Sequence, residues 1–523
     1  MTTDKDKPAL DENSADYEEK WDQLIRDLRG AFPSSADEKL LYDFINIIKD
    51  AIYAFTSKTI DINNFISISI IENILSAFNS NIKLLGTELI INLISQINQD
   101  IFIDQKKREL KEKGVKVRKY RLFSKSIMTL HGTITYNRMG LIPATPDHAK
   151  KLTELGEQKI IFPLDEAIGA ANLPFKLTVP AMLEVAYWVQ SSSSYESAAK
   201  QLKKATGIVL AAETIRSIAN TIGKIIFDID AKDADNAFNL LKSGALELPE
   251  EQKSHILYLL VDGAMLHTRE KNAEGSTWRE NKLGLAFSTE YFKRSYDKKS
   301  SETKFRINKR EYRAFVGDAD TFKKHFFALA LKNGYGSFKE TVLLSDGATW
   351  IRSVKDELCP DAQQILDFHH LCKNVSDFAK GAFAKDEIKY NPWSENICKL
   401  FKEGQAEEAI TQIRALGKKK MLKSSINLLS YIENNKNNID YQKYIKKGYF
   451  IDSGAIESGR RSVLQQRLKQ PGMRWNIDSG QYIVTLMSKV KSDLWNEEVV
   501  EPVLDYYGIK KENTIFSGIH AFF

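Results

Sequence analysis

Cysteine is scarce in this 523-residue chain, which has three: Cys359, Cys372 and Cys398. That excludes a disulfide framework and fits a reducing compartment. Long apolar runs are missing as well. The two most apolar stretches, FISISIIENILSAF and LLGTELIINLISQI, are interrupted by Glu72 and Glu88, so they read as amphipathic or buried helices and not as membrane spans. The beginning of the chain shows no charged-then-apolar targeting pattern; it is acidic and polar (DENSADYEEKWD). No long low-complexity tract occurs. The expectation is a soluble cytoplasmic protein.

At 59.5 kDa the chain is too long for one core, and three or four structural units are expected. The net charge of +6 is mild and by itself names no partner. Its distribution says more. With the acid concentrated in the first forty residues, KKRELKEKGVKVRKYRLFSK and RRSVLQQRLKQPGMRW carry positive charge in a form suited to a phosphate backbone.

Periodicity divides the chain. Residues 1–20 read as a disordered acidic segment. Residues 21–115 read as a helical N-terminal unit, a candidate dimerisation domain. Residues 116–160 hold a basic hairpin centred on His131-Gly132, with Arg118, Lys119 and Arg121 as candidate DNA contacts. Residues 161–250 are helical, and SYESAAKQLKKATGIVLAAETIRSIANTIG predicts a short helix, a turn at Gly207 and a second helix from Ala212. That resembles a helix-turn-helix with Arg216 on its second helix, although any two packed helices give the same pattern. Residues 251–380 alternate as β-β-β-α-β-α-β-α, which implies a mixed α/β sheet with helices on its faces. Residues 381–450 are a Lys-rich helical stretch, and 451–523 bring the last helices and a tail.

One internal echo stands out. LYLLVDGAMLHTR and VLLSDGATWIRSV each take an apolar strand into Asp-Gly-Ala, at Asp262 and Asp346, and AQQILDFHH ends another strand at Asp367. Side chains at strand ends on one edge of an α/β sheet leave the core and meet ligands. Two carboxylates placed there repel each other unless a divalent cation lies between them, and oxygen ligands of this kind suit Mg²⁺ or Mn²⁺. Each residue alone has a plainer reading. Asp262-Gly263 is a hairpin signal, Asp346 and Asp367 are good helix caps, and Glu457 stands at salt-bridge spacing from Arg460 and Arg461. His369, His370 and Cys372 raise zinc, against which the chain offers no second Cys/His pair at ligand spacing.

The constellation as a whole resembles the DDE-type transposases of bacterial insertion sequences, in their mutator-like group with an RNase H-like catalytic domain. The resemblance spans roughly residues 106–495. It is carried by LLVDGA, by LLSDGATWIRS with CPDAQQILDFHHLCKNV, and by DSGAIESGRRSVLQQRLKQPGMRW, with FPLDEAIG and SYESAAKQL upstream. It implies an α/β multidomain protein: an RNase H-like mixed sheet interrupted by an all-helical insertion, preceded by helical and helix-turn-helix-like DNA-binding regions. It implies Asp262, Asp346 and Glu457 as catalytic ligands of two Mg²⁺ (or Mn²⁺) ions, with 84 residues from Asp262 to Asp346 and 111 from Asp346 to Glu457. The insertion 381–450 accounts for the second interval. Asp367 and His370 match the group's Asp-x-x-His signature, which places His370 near the scissile phosphate.

The same resemblance implies metal-dependent cleavage at terminal inverted repeats and strand transfer into target DNA. The partners would be double-stranded DNA and at least a second copy of the chain, in a bacterial, nucleoid-associated setting. Arg460, Arg461, Arg467, Lys469 and Arg474 would contact the DNA backbone, the alternative being a solvated basic face. Trp393 is either a base-stacking residue or core packing. Two rivals stand: a DNA-binding relative that has lost catalysis, and a carboxylate hydrolase of the glycosidase kind, which the basic helical flanks disfavour.

Overall fold

The computed structural model describes residues 86–88, 90–249, 253–297, 302–420 and 424–509. The acidic segment 1–20, most of the helical unit 21–115 and the end of the C-terminal tail lie outside these residues. All elements below belong to one compact unit, Ser95–Tyr507.

It opens with helix α1 (Gln99–Glu112), the hairpin strands β1 (Val117–Met128) and β2 (Thr133–Pro143), and helices α2 (Pro146–Glu154) and α3 (Pro163–Ala167). The hairpin turns at His131-Gly132 as expected, and its strands run longer than the short pair expected there. Ile103, Leu110, Val115, Leu141, Leu152 and Ile161 form its small core. Asp165, from the FPLDEAIG motif, is buried between Lys125 (2.9 Å), Arg138 and the Tyr136 hydroxyl, which donates at 2.8 Å.

Next come α4 (Val179–Ser191), α5 (Tyr195–Thr206) and α6 (Ala212–Lys242). Ser194 caps α5 by accepting from the Ser197 N–H, and Gly207 ends it in the left-handed conformation (φ +78°) that suits glycine. The predicted helix-turn-helix elements are therefore present, but α6 runs for 31 residues. Its stripe Ile215, Ile218, Ile222, Ile225 and Ile226 is buried, and α6 packs on α4 and on α7 and α16, defined below. A Cβ on Gly223 would lie 2.6 Å from Tyr482, so the α6–α16 approach needs glycine there.

The central sheet has five strands: β3 (Lys253–His267), β4 (Trp278–Ser288), β7 (Glu311–Val316), β8 (Phe338–Ser345) and β9 (Gln363–Leu366), in the order β7-β4-β3-β8-β9. The first three pair antiparallel, while β8 and β9 add in parallel. β3 and β8 are buried on both faces, which is why they read as unbroken apolar runs and not as alternation. An additional ribbon, β5 (Phe292–Asp297) with β6 (Glu302–Ile307), is inserted between β4 and β7.

Helix α7 (Ala319–Lys332) puts Phe322, Phe326, Phe327 and Leu329 into the main core with Leu257, Leu259, Val261 and Leu343. Helices α8 (Thr349–Leu358) and α9 (Phe368–Ala382) follow β8 and β9. The insertion is helical throughout its described residues: α10 (Glu387–Lys402), α11 (Ala406–Lys420), α12 (Ser424–Asn434) and α13 (Tyr441–Lys446). Trp393 on α10 lies 5.9 Å from Phe378 and 6.2 Å from Phe383, ring to ring, in the packing between α9 and α10.

Helix α14 (Gly454–Gly459) continues through a π-helical turn (Arg460–Gln465) into α15 (Gln466–Leu468). Helices α16 (Ile477–Lys491) and α17 (Glu501–Tyr506) complete the unit. α16 closes the β7 edge: Gln481 accepts from the Val316 N–H at 2.7 Å and donates to the Ala314 carbonyl at 3.2 Å, and Ser492 accepts from the Tyr312 N–H. An edge strand that would otherwise expose unpaired donors and acceptors is thereby satisfied. Among the described residues no helix is long and apolar enough to cross a membrane.

Candidate functional site

The two Asp-Gly-Ala echoes meet. β3 and β8 run parallel, with Val261 opposite Ser345 as their last pair, so Asp262 and Asp346 are the next residues on adjacent chains. Both line one cavity of about 140 Å³, together with Gly263, Glu280 and Trp350. Asp262 is not at a strand end, as its sequence suggests, nor in a hairpin turn. β3 continues five residues further to His267, paired throughout with β4 (Asp262↔Leu283, His267↔Trp278). It is β8 that ends, and this uncovers the Asp262 side of the sheet.

Asp346 begins the turn into α8. Its Oδ1 accepts from the Ala348 N–H at 2.9 Å, and its carbonyl accepts from the Tyr431 hydroxyl of α12 at 2.8 Å. The helical insertion thus braces the loop that carries it. Asp262 is 5% exposed. Its Oδ1 accepts from the Gly263 N–H at 2.7 Å, while Oδ2 has no hydrogen bond and faces the Arg460 guanidinium at 3.3 Å. Burial pushes its carboxyl above the usual carboxylate range; Arg460 and the Gly263 N–H oppose that, and Asp346 adds to it.

Asp367 caps α9, accepting from the N–H groups of His369 (3.3 Å) and His370 (3.1 Å), so the capping reading of this residue holds. It also accepts from the Ser453 N–H (2.9 Å) and hydroxyl (2.7 Å), and from His370 Nδ1. Burial raises its carboxyl, but the hydrogen bonds from His370 and Ser453 more than offset this and leave it below the ordinary value. His370 is held above its usual range, first by the Asp367 hydrogen bond and further by the charges of Asp262 and Asp346. With Nδ1 tied to Asp367, its other ring nitrogen is the one left for a further partner.

Glu457 stands apart from the cavity. It sits on α14, which packs against β3 and β4, with His369 Nε2 3.8 Å from its Oε1. Among the described residues, no three His, Cys, Asp or Glu side chains are gathered closely enough to hold a metal ion. The pair Asp262–Asp346 nevertheless suits a hard divalent cation: both donors are oxygens, and the buried Asp262 Oδ2 lacks a hydrogen-bond donor.

The predicted basic residues fall into three settings. Arg118, Lys119 and Arg121 are exposed on β1, with Lys119 paired to Asp100 at 2.5 Å and Arg121 over the Phe123 ring at 4.6 Å. Arg461, Lys469 and Arg474 are also exposed, and Arg460 turns to Asp262. Arg467 is buried, 1% exposed, and Arg216 is half-buried beside Glu213. Two residues were missed from sequence. Glu280 on β4 lines the Asp262 cavity, and Tyr431 holds the Asp346 loop. Glu280 sits in the alternation TWRENKLG, whose register opposite Met265 would have flagged it once β3 was extended.

Fold and site together define a mixed α/β protein with a carboxylate pair, buried Asp262 and half-buried Asp346, at the parallel side of its sheet. The chain belongs to the uncharacterised protein family UPF0236, whose profile matches residues 63–492. A comparison with curated proteins finds no match.

Proposed function

We propose that this protein is a DNA transposase of the DDE type, with an RNase H-like core, acting at the ends of its own mobile element. The observation that carries the reading is the convergence of Asp262 and Asp346 on one cavity, with His370 in electrostatic reach of both. The mixed sheet with helices on its faces and the helical insertion ahead of the Glu457 helix are consistent with it. Asp262 and Asp346, with Glu457 as the third carboxylate, would hold Mg²⁺ or Mn²⁺, which supplies Lewis acidity to the attacking and leaving oxygens of a phosphodiester.

The chain's own groups divide the remaining work. Asp367 fixes the His370 ring so that its free nitrogen donates toward a phosphate oxygen. Arg460 neutralises Asp262 in the absence of a cation. Exposed Arg461, Lys469 and Arg474 supply backbone contacts to double-stranded DNA. The N-terminal segment 21–115, expected to be helical from its sequence and lying largely outside the described residues, is the candidate interface for a second copy.

One observation favours a second reading, a DNA-binding relative without catalysis: Glu457 lies beside His369 (3.8 Å) and does not line the cavity of the two aspartates. The test is incubation of the full chain with Mg²⁺ or Mn²⁺ and DNA carrying the sequences that flank its own gene, beside Asp346→Asn. Metal-dependent cuts at defined ends, absent in the variant, are expected. Binding without cutting by the parent chain would establish the second reading, and absence of binding would remove both.

A further inference from the structure

Beyond the carboxylate pair, β3 runs on for five residues, about 17 Å at strand rise, and leads to a second site. There Thr268 pairs with Trp475, and the Arg269 N–H donates to the Trp475 carbonyl at 2.9 Å. The segment after α15 therefore folds over the end of β3. It closes a cavity of about 270 Å³ lined by Arg216, Arg269, Arg467 and Arg474, with Glu196 as the one carboxylate. The wall opposite is the N-terminus of α5, at Ser194 and Tyr195.

The four guanidiniums outnumber the carboxylates beside them, which are Glu196 in the lining and Glu213 paired to Arg216 at 2.5 Å, and they repel one another. The most enclosed of them is also the least satisfied. Arg467 is 1% exposed and gives one hydrogen bond, from Nη1 to the Ser193 carbonyl at 3.2 Å, while its Nε and Nη2 have no partner. Its guanidinium lies 4.7 Å from the Tyr195 ring centre and 5.2 Å from that of Trp475, which hold it in one orientation. Unpaired guanidinium donors in a buried setting are costly, and the pairing that removes the cost is a bidentate oxyanion. The positive end of the α5 dipole adds to the same preference.

We propose that this arginine cage binds a phosphate group, and that its source is a backbone phosphodiester of the DNA strand engaged by the Asp262–Asp346 site, held at the far end of β3 from it. The choice of source rests on the transposase reading; the anion chemistry does not. The cage would fix the register of the strand while the carboxylates act elsewhere on it.

Arg216→Gln and Arg474→Gln, combined, remove two of the cage's charges without touching the buried Arg467. Lys232→Gln, on the exposed side of α6, serves as a charge control. Binding of a short fluorescent duplex to the full chain would be followed by anisotropy between 50 and 200 mM KCl, after melting curves confirm that the variants fold. The double variant is expected to bind several-fold more weakly, with a log–log salt slope smaller by about one to two than that of the parent and of Lys232→Gln. Equal affinity and slope in parent and double variant would overturn the proposal while leaving DNA binding intact.

A second arm measures the melting temperature with added inorganic phosphate against chloride of equal ionic strength. Stabilisation of the parent by phosphate, lost in the double variant, supports the anion site. If the parent binds no duplex but does respond to phosphate, the transposase reading and the diester source fall and a free-phosphate site stands. No response in either arm overturns the cage altogether.

Discussion

Two aspartates of this protein are almost equally buried and almost opposite in condition. Asp230, on α6, is 7% exposed and Asp262, on β3, 5%. Asp230 accepts from Lys489 Nζ at 2.8 Å and from Arg313 Nη2 at 3.0 Å. Burial pushes its carboxyl up, but the two cations more than offset this and hold it below the usual range. Asp262 has one guanidinium at 3.3 Å, in no hydrogen bond, and its carboxyl is carried upward by burial. A buried carboxylate held by two hydrogen-bonded cations serves the fold. One left partly unanswered is held there by the surrounding structure, and such groups gather where ligands bind.

The comparison breaks most readily at Asp230. Replacing it with Asn leaves Arg313 buried without its counter-ion and Lys489 with Glu498 alone (2.6 Å), and the expected loss is roughly 3–5 kcal/mol in urea unfolding. A loss under about 1 kcal/mol would mean that the network tolerates imbalance and that the contrast with Asp262 carries no information.

A related effect comes from His325, which faces the same cluster and lies between Phe227 (5.9 Å) and Phe315 (5.2 Å). Burial first, then the charges of Arg313 and Lys489 against that of Asp230, pull its pKa down from 6.5 to about 4. Because the folded value lies below the unfolded one, the unfolded chain binds more protons between these limits. Stability is therefore complete above about pH 6.5 and falls by about 3 kcal/mol as the pH drops through the window to 4. Unfolding midpoints of the parent and of His325→Phe from pH 7 to 4 should diverge, with the variant losing less.

How far such distinctions can be read in sequence depends on what each residue type implies. The strand order β-β-β-α-β-α-β-α was legible because β3 and β8 are two-sided and so continuously apolar, and because Asp346 and Asp367 sit at polar breaks that follow apolar runs. The convergence of Asp262 and Asp346 on one cavity follows from that order together with parallel pairing. The continuation of β3 beyond Asp262 was not legible. Its pairing with β4 is made by backbone groups, which leave little mark on side-chain pattern. The β5–β6 ribbon, FKRSYD with ETKFRI, was also missed from sequence. Arg467 is the clearest case: inside a run of cations it reads as solvated surface, and only the tertiary placement of Tyr195 and Trp475 encloses it.

A smaller effect probes how the third carboxylate is placed. Gly459 closes α14, and a Cβ there would come within 2.4 Å of the Tyr312 ring, which is itself buried. Gly459→Ala must push α14 away from the sheet or displace the ring, and the expected cost is about 1–3 kcal/mol. In the transposase reading the same change disturbs Glu457, so cleavage should fall further than stability explains. Adding Tyr312→Leu, which shortens the opposing side chain, should restore part of both, measured by melting curves and by the DNA-cleavage assay.

The smallest change in stability is expected at Asp262 itself, although it is as buried as Asp230. Asp262→Asn removes a charge whose ion-pair partner among the described residues is Arg460 alone and keeps an oxygen to accept from the Gly263 N–H. The penalty of an uncompensated buried carboxylate disappears along with the ion pair, and the two changes oppose each other. Unfolding free energy should stay within about 1 kcal/mol of the parent, with an increase as acceptable as a decrease. Mg²⁺ or Mn²⁺ supplies the contrast. At a concentration a hundred times its dissociation constant, a cation that binds only the folded parent stabilises it by about 2.7 kcal/mol, and Asp262→Asn should show little of that gain. If instead the variant unfolds as readily as Asp230→Asn, then Asp262 is a structural anchor of the sheet. The unanswered Oδ2 would in that case say nothing about a cation.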